Sequence, residues 1–476
     1  FIQNRYPDGV YSRVRQGFAR VGEIPFDSER KCMTTLHRFE ERYLVISKGA
    51  AEVIARNLEP GEPVETVLRD SGAMASDGIR VLAFAFKWLD KLPQFLDRGS
   101  IETELLFAGL AGMVDPPRNE VKAAIAECKT AGIRPVMITG DHKQTAASIA
   151  RQIGLMSENE IVVAGNELDT LNAEELDARV EKIAVYARVS PQQKLDIIKS
   201  LQRKNHFVAM TGDGVNDAPS LQRANIGIAM GIAGTDVTKE AAGMILLDDN
   251  FATIVKAVKE GRRIYDNIRR FVKYILTCNS AEIWTLFLAP LLGLPIPLLP
   301  IHILWINLVT DGLPALALSA EKAENNIMRR PPRRPGESLF AEGVGVHIIW
   351  VGLLMAFLTL AVQAWALSRS NESWQTMVFT VLSVLQLAHV LAVRSDYEFI
   401  YRKGIFTNPF LLGTVLLTFL LQICVIYLPW ANTVFRTVPL SLPQLIICLS
   451  VGAVLFHLVE LEKWLKAKAR KGKASV

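Results

Sequence analysis

Along the rear of the chain, apolar positions run together rather than alternate. Six such runs follow Arg270, at roughly 271–293, 297–319, 345–366, 375–393, 409–428 and 441–460. Each is about 20 residues, the length of a helix that crosses a hydrocarbon core of about 30 Å. Six in succession, separated by short polar links, predict an all-α bundle of six transmembrane helices. Ahead of them the pattern changes: residues 107–250 alternate short apolar runs with amphipathic ones. LLFAGLAGM (105–113), IRPVMIT (133–139) and FVAMT (207–211) read as strands. Residues 118–131, a stretch ending near 153 and a stretch near 191–204 read as helices. The alternation predicts an α/β doubly wound domain with a parallel sheet. The domains expected are 1–104, 105–252 and 253–476.

Charge follows the same division. The first 270 residues hold 36 basic and 37 acidic side chains, and the remaining 206 hold only 17 and 11. The front therefore reads as soluble and the rear as charge-poor. With 50% hydrophobic and 21% charged residues overall, the composition excludes disorder, collagen and a disulfide-stapled mini-protein. Five scattered cysteines without a CxxC pair argue against a disulfide framework or a structural zinc site. Links 320–344 and 394–408 and the tail carry 14 Lys and Arg, against 2 in the alternate links. That bias places the three basic segments, with residues 1–270, on the cytoplasmic face. The basic tail beside a membrane helix predicts anionic lipid headgroups as its partner, not nucleic acid.

Polar residues inside apolar spans need a reason, because they are costly there. The first span contains Asn279 and Glu282, and the second contains Asn307, Thr310 and Asp311. Spacings of three and four put each set on one helix face. Hard cations such as Ca²⁺ want such a shell of oxygens, and Gln386 of the fourth span could add another. Gly312 and Pro314, just after Asp311, predict a broken helix with freed carbonyls. His302, His347, His389 and His457 have no partner spacing and read as structural. In the front, ligands are expected at the carboxyl ends of parallel strands. Two such ends carry Thr139-Gly140-Asp141 and Thr211-Gly212-Asp213, the second continuing as TGDGVNDAP. Glycines let the backbone approach a phosphate. Asp213 and Asp217 can hold Mg²⁺ or order a ligand of it. Lys194, at a helix start, can neutralise phosphoryl oxygens.

TGDGVNDAPSL (211–221), MITGD (137–141), DPPR (115–118) and ARVSPQQK (187–194) together resemble the phosphorylation domain of P-type cation-transporting ATPases. KGAAE (48–52) and PFDSERK (25–31) resemble the nucleotide-binding domain of that family. INLVTDGLPALAL (306–318) resembles the sixth of ten transmembrane helices in its calcium-pump branch. The resemblance implies a haloacid-dehalogenase-like α/β phosphorylation domain with part of an α+β nucleotide-binding domain, then six membrane helices. It implies ATP, Mg²⁺ and a transported cation, most simply Ca²⁺. By resemblance Phe26 stacks on adenine, while Lys48, Gly49 and Arg80 line the ATP site. Thr139, Gly140, Asp141, Arg188 and Lys194 would surround the phosphoryl group. Asp213 would bind Mg²⁺, with Asn216 and Asp217 completing the network. Asn279, Glu282, Asn307, Thr310 and Asp311 match cation ligands, whereas Gln386 stands where some calcium pumps have Glu. The helix at 253–277 is expected to carry domain motion to Glu282.

The family's phosphorylated aspartate lies in a DKTGT motif, which occurs nowhere in this sequence. The expectation is a C-terminal portion of a pump whose partner is the N-terminal half, with no phosphoenzyme when alone. The short links fit a bacterial plasma membrane. Two alternatives are a membrane-anchored Mg²⁺-dependent phosphatase and a non-catalytic nucleotide-binding membrane subunit. The first would need a nucleophilic aspartate at a strand end, and no DxDx[TV] is present.

Overall fold

A computed structural model describes residues 17–27, 30–76, 79–92, 98–113, 117–157, 159–396 and 398–474. The chain divides into two compact units, residues 1–253 and 254–476. Ser28 and Glu29 of PFDSERK and Asp115 and Pro116 of DPPR lie outside the described residues.

The first unit opens with an antiparallel meander. Strands β1 (Ala19–Asp27), β2 (Cys32–Phe39), β3 (Arg42–Gly49), β4 (Arg80–Leu89) and β5 (Leu106–Met113) pair in chain order. Between β3 and β4 lie helices α1 (Ala51–Arg56) and α2 (Val64–Ser76). Period-2 alternation sets the faces: Cys32, Thr34 and Leu36 are sealed, while Met33, Thr35 and His37 are half-open. The sealed face packs Ile54, Ala83, Ala85 and Leu105 into one core. The run 105–113 is thus a strand, but it joins this antiparallel sheet through β4 rather than opening the parallel one. Periodicity finds a strand without naming its partner.

The parallel elements follow as α3 (Asn119–Thr130), β6 (Met137–Thr139), α4 (Lys143–Gln152), β7 (Ile161–Ala164), β8 (Ile183–Ala187), α5 (Pro191–Arg203), β9 (Ala209–Gly212), α6 (Ala218–Arg223), β10 (Ile226–Met230) and β11 (Met244–Leu246). The strand expected over 133–139 is only three residues long. These strands make two three-stranded sheets, ordered β6-β8-β7 and β11-β10-β9. Central β8 is buried along its whole length, whereas β6 and β9 are edge strands.

The second unit is helical. After α7 (Phe251–Leu291) come α8 (Pro300–Leu318), α9 (Val344–Ser368), α10 (Trp374–Ala392), α11 (Pro409–Tyr427) and α12 (Leu442–Ala474). Among the described residues five helices, α8 to α12, are long and apolar enough to cross a membrane. The sixth expected span is the rear of α7, and polar residues such as Asn279, Ser280 and Glu282 keep it out of that set. Helix α10 is the axis: Met377, Phe379, Val381, Leu382 and Leu385 are fully sealed among α9 and α12 residues such as Met355 and Leu455. Outward side chains are large and apolar, including Leu308, Phe357 and Leu416, as a lipid solvent requires.

The links on the basic side are held by buried ion pairs. Glu321, fully buried, accepts Arg394 Nε at 3.1 Å and Asn408 Nδ2 at 3.0 Å. Glu324 accepts Arg270 at 2.6 Å and Arg330 at 3.1 Å, and Arg330 also reaches Asp266 at 2.9 Å. Several link arginines are therefore structural clamps. Breaking one buried pair leaves an uncompensated charge, at about 3–5 kcal/mol. Arg394→Met should lower the thermal stability of the solubilised chain by that order. The double change Arg394→Met with Glu321→Leu should recover much of it; a double mutant no better than the single would refute the pairing.

Candidate functional site

Two groups of predicted residues assemble, one in each unit. In the first unit the motif ARVSPQQK spells a helix start. Ser190 Oγ caps Gln193 N at 3.3 Å, Gln193 Oε1 returns to Ser190 N at 2.8 Å, and Pro191 takes the first helical position. This cap fixes Lys194 in the first turn of α5. Lys194 Nζ then donates to Asp217 Oδ1 at 2.6 Å. The other oxygen of Asp217 accepts Gly214 N at 3.2 Å. Asp217 is buried, so its work is to hold Lys194 and the turn; Asp213 and Asn216 remain exposed. Of the two acids expected to hold Mg²⁺ or order a ligand of it, Asp217 is occupied by Lys194 and Asp213 faces out.

Gly212 is required for this packing. A Cβ there would lie 2.5 Å from Asp217 Cβ, whereas one on Gly214 would meet only Asp217 Oδ2 at 3.6 Å. The β9 loop is tied to its neighbour by Thr235 N donating to Asp213 O at 3.1 Å. That neighbour is braced in turn by Asp249, whose carboxylate accepts Gly231, Ile232 and Ala233 N–H at 2.7, 3.0 and 2.7 Å. The Ile232 amide and the two beside it hold the Asp249 carboxyl below the usual carboxylate range. At the end of β6, Thr139 Oγ1 donates to Asp141 Oδ2 at 3.0 Å and accepts Asp141 N at 3.1 Å. Arg188 N donates to Thr139 O at 2.8 Å, which joins the ends of β8 and β6. Gly140, Asp141 and Arg188 are exposed. Among the described residues, no hydrogen bond joins the Thr139 turn to the Lys194–Asp217 pair.

The residues expected at the ATP site share one end of the antiparallel sheet. Lys48 pairs with Met33 and Phe84, and Gly49 with Cys32 and Ala83. A Cβ on Gly49 would strike Lys31 O at 2.5 Å. Phe26, beside the β1 bulge, is 64% exposed. Arg80 begins β4; its side chain lies outside the described part.

The second group sits among α7, α8 and α10. Glu282 is 4% exposed and Asp311 2%. Gln386 Nε2 donates to Glu282 Oε1 at 3.0 Å and lies 3.5 Å from Asp311 Oδ2. Asn307 Nδ2 donates to Glu282 Oε2 at 3.2 Å, and Tyr274 OH to Asp311 Oδ1 at 3.2 Å. Among the described residues, no Lys or Arg pairs with either acid. Thr310 Oγ1 and Gln386 Oε1 are buried without a partner. Asn279 is half-buried and stands outside this bonded set, while Asn307 is exposed and marks an open side. The predicted break in the helix takes another form. Residues Ile306–Asp311 are π-helical and the helix continues to Leu318. Pro314 has no N–H for Thr310 O, and Tyr274 OH approaches that carbonyl at 3.4 Å instead. Tyr274 was not legible from the sequence, although it lies two helical turns before Glu282.

Among the described residues, no three His, Cys, Asp or Glu side chains converge as a metal site. The second group is therefore two acids completed by amide and hydroxyl oxygens, a hard-donor set. Two parallel half-sheets with TGD turns and a helical bundle around buried acids define the class: a haloacid-dehalogenase-like domain joined to a membrane unit. Residues 27–225 match the family of haloacid dehalogenase-like hydrolases, and residues 295–465 match the C-terminus of cation-transporting ATPases. Over most of its length the chain is similar to cation-transporting ATPases, among them proteins named as calcium-transporting. It is 44% identical to calcium-transporting ATPase 1 of Bacillus cereus over 89% of this chain and 51% of that protein. It is 41% identical to the calcium-transporting ATPase of Bacillus subtilis over 93% of this chain and 51% of that protein. For calcium-transporting ATPase 1 of Yarrowia lipolytica the identity is 38%, over 95% and 50%. The chain spans about half the length of the curated relatives it matches.

Gly212→Ala should cost about 1–3 kcal/mol by overpacking against Asp217, while Gly214→Ala should be nearly neutral. Thermal unfolding of the two variants checks the contrast. Because the Asp249 carboxyl is depressed in the fold, its bracing is present above the unfolded value, about 3.9, and is lost as pH falls. Amide exchange at Gly231, Ile232 and Ala233 should rise as pH drops below that value, and Asp249→Asn should raise it already at neutral pH.

Proposed function

We propose that this chain is the ATP-handling and ion-conducting portion of a Ca²⁺-transporting pump. The observation that carries the reading is the sealed Glu282–Asp311 pair. Two carboxyl groups without a basic partner in an apolar bundle are expensive unless a cation or protons compensate them. Their companions, Asn307, Thr310 and Gln386, supply neutral oxygens, which suits Ca²⁺ better than a soft metal. The exposed side at Asn307 leaves room for ligands from a further segment, and Asn279 would be a further oxygen ligand.

In the first unit ATP would stack on Phe26, with Lys48 and Arg80 beside its phosphates and Gly49 allowing close approach. The γ-phosphate would go to an aspartate outside this sequence. Two features support a further segment as partner: the chain matches only half of its relatives' length, and β6 and β9 are both edge strands. A parallel strand laid on these edges would end beside the two TGD turns, where ligands of parallel sheets gather. By family resemblance, that strand would bear DKTGT. Lys194, fixed by its cap and by Asp217, then offsets charge on the transferred group, and Thr139 donates a hydrogen bond to it. The exposed Asp213 carboxylate is a hard oxygen donor fit for Mg²⁺. When bound, Mg²⁺ would neutralise phosphoryl oxygens in a transfer governed by positioning and electrostatics. The domains read as 1–104 for nucleotide, 105–252 for phosphorylation and 253–476 for transport. The basic links and both soluble domains would face the cytoplasm of a bacterial cell.

Phosphorylation from labelled ATP tests this. The chain alone should take no acid-stable label. The complete pump should be labelled in a Ca²⁺-dependent way, and Glu282→Gln should raise the Ca²⁺ required by about tenfold or more, roughly 1.4 kcal/mol. Nucleotide binding should persist. An unchanged Ca²⁺ dependence would remove Glu282 from the ion site.

A further inference from the structure

Four histidines of the membrane unit looked structural by spacing, yet the fold brings two of them face to face. His347 of α9 and His389 of α10 are 2% and 0% exposed. Their Nε2 atoms are 3.1 Å apart and their rings stack at 5.4 Å. On its other side His347 Nδ1 lies 2.8 Å from Glu462 Oε2 of α12.

The hydrogen positions follow from what each partner can do. An ionised carboxylate only accepts, so His347 Nδ1 donates to Glu462. A neutral His347 then presents a lone pair at Nε2, and His389 Nε2 must be the donor across the 3.1 Å contact. That leaves His389 Nδ1 as an acceptor, and this atom is buried with no partner. A buried acceptor left open in apolar surroundings is unfavourable unless it is used. The far end of the array opens into a polar pocket of about 30 Å³ lined by His347 and Glu462, room for a water molecule. At the inner end, the His389 ring stacks on Tyr274 at 5.7 Å. Charged groups facing the array are Lys273, Arg269, Glu342, Asp396, Lys463 and Lys466. Lys273 pairs with Asp396, Arg269 with Glu342, Lys463 with Glu460 and Lys466 with Glu462. Among the described residues each of these charges has an opposite partner, so the carboxylate of Glu462 is the group that sets the hydrogen directions in the array.

We propose that Glu462, His347 and His389 form a proton-transfer chain between the pocket at the basic face and the bundle interior. A proton arriving at His389 Nδ1 releases the one on Nε2 to His347 Nε2. His347 then passes its Nδ1 proton to Glu462, and water in the pocket takes it up. Each bond to hydrogen that breaks is replaced by one that forms. The shifted tautomers left behind let the reverse sequence carry a proton inward, and a second outward transfer requires both rings to return to their first tautomer. The reading does not depend on which cation, if any, the neighbouring acids hold.

Nitrogen-15 NMR of histidine side chains tests it on the full chain in lipid nanodiscs. His389 should be protonated at Nε2 and His347 at Nδ1 near neutral pH. The His389 ring proton should exchange with water despite complete burial. Glu462→Gln and His347→Gln should each slow that exchange by at least about tenfold, a barrier increase of about 1.4 kcal/mol. Backbone amide exchange at Leu387 and Val390 should not change, which separates relay from local opening. The opposite tautomer at His389 would overturn the proposal. So would ring exchange that ignores both variants or that tracks the backbone amides. The tautomer measurement needs no variant, so a misfolded mutant leaves the proposal open to refutation.

Discussion

Two carboxyl groups in a medium that cannot solvate them set the constraint around which the helical unit is organised. Glu282 and Asp311 reach the interior from different helices, and one amide, Gln386, lies against both. An amide supplies hydrogen bonds without charge, so it orients the acids and leaves them uncompensated. That explains why α10 is the most enclosed helix: it carries the shared donor and must be fixed in depth and rotation. It also explains why α8 widens into a π turn at Ile306–Asp311. The widened turn and the missing N–H of Pro314 make local backbone and side-chain polarity available where the acids need it. Tyr274 then ties α7 to the same point through Asp311 and Thr310 O.

A cluster of this kind is useful only if the helices that bring it together stay in register. Glu321 and Glu324, each shared by two or more donors, bind the links after α8 and α10 to one another and to the base of α7. Charged side chains in membrane links are usually counted for topology alone. Here the same residues serve a second purpose, because an arginine that is buried and bidentate fixes geometry.

The sequence carried the long-range architecture well because its signals are redundant. Apolar runs of membrane length, glycines at tight turns and the Ser190–Gln193 capping box each specify local structure without help from elsewhere. What it could not carry was pairing. LLFAGLAGM is a strand by pattern, but only β4 beside it decides that it extends the antiparallel sheet. Glu282 and Asp311 stood out because charge in an apolar run is rare, and Lys194 because its helix start is spelled out. Tyr274, His347 and His389 did not, since an aromatic or a histidine at helical spacing is ordinary core until its partners on other helices are known. Asp217 was legible as a member of the network, but its burial against Gly212 and its bond to Lys194 are tertiary facts.

The central claim is that the buried acids exist to meet a cation. Infrared difference spectroscopy on the chain in nanodiscs tests it directly by following the carboxyl bands as Ca²⁺ is added. Protonated-carboxyl absorption should give way to metal-bound carboxylate, and Glu282→Gln with Asp311→Asn should abolish the change. A carboxyl spectrum indifferent to Ca²⁺, or a change that survives the loss of both acids, would contradict the account.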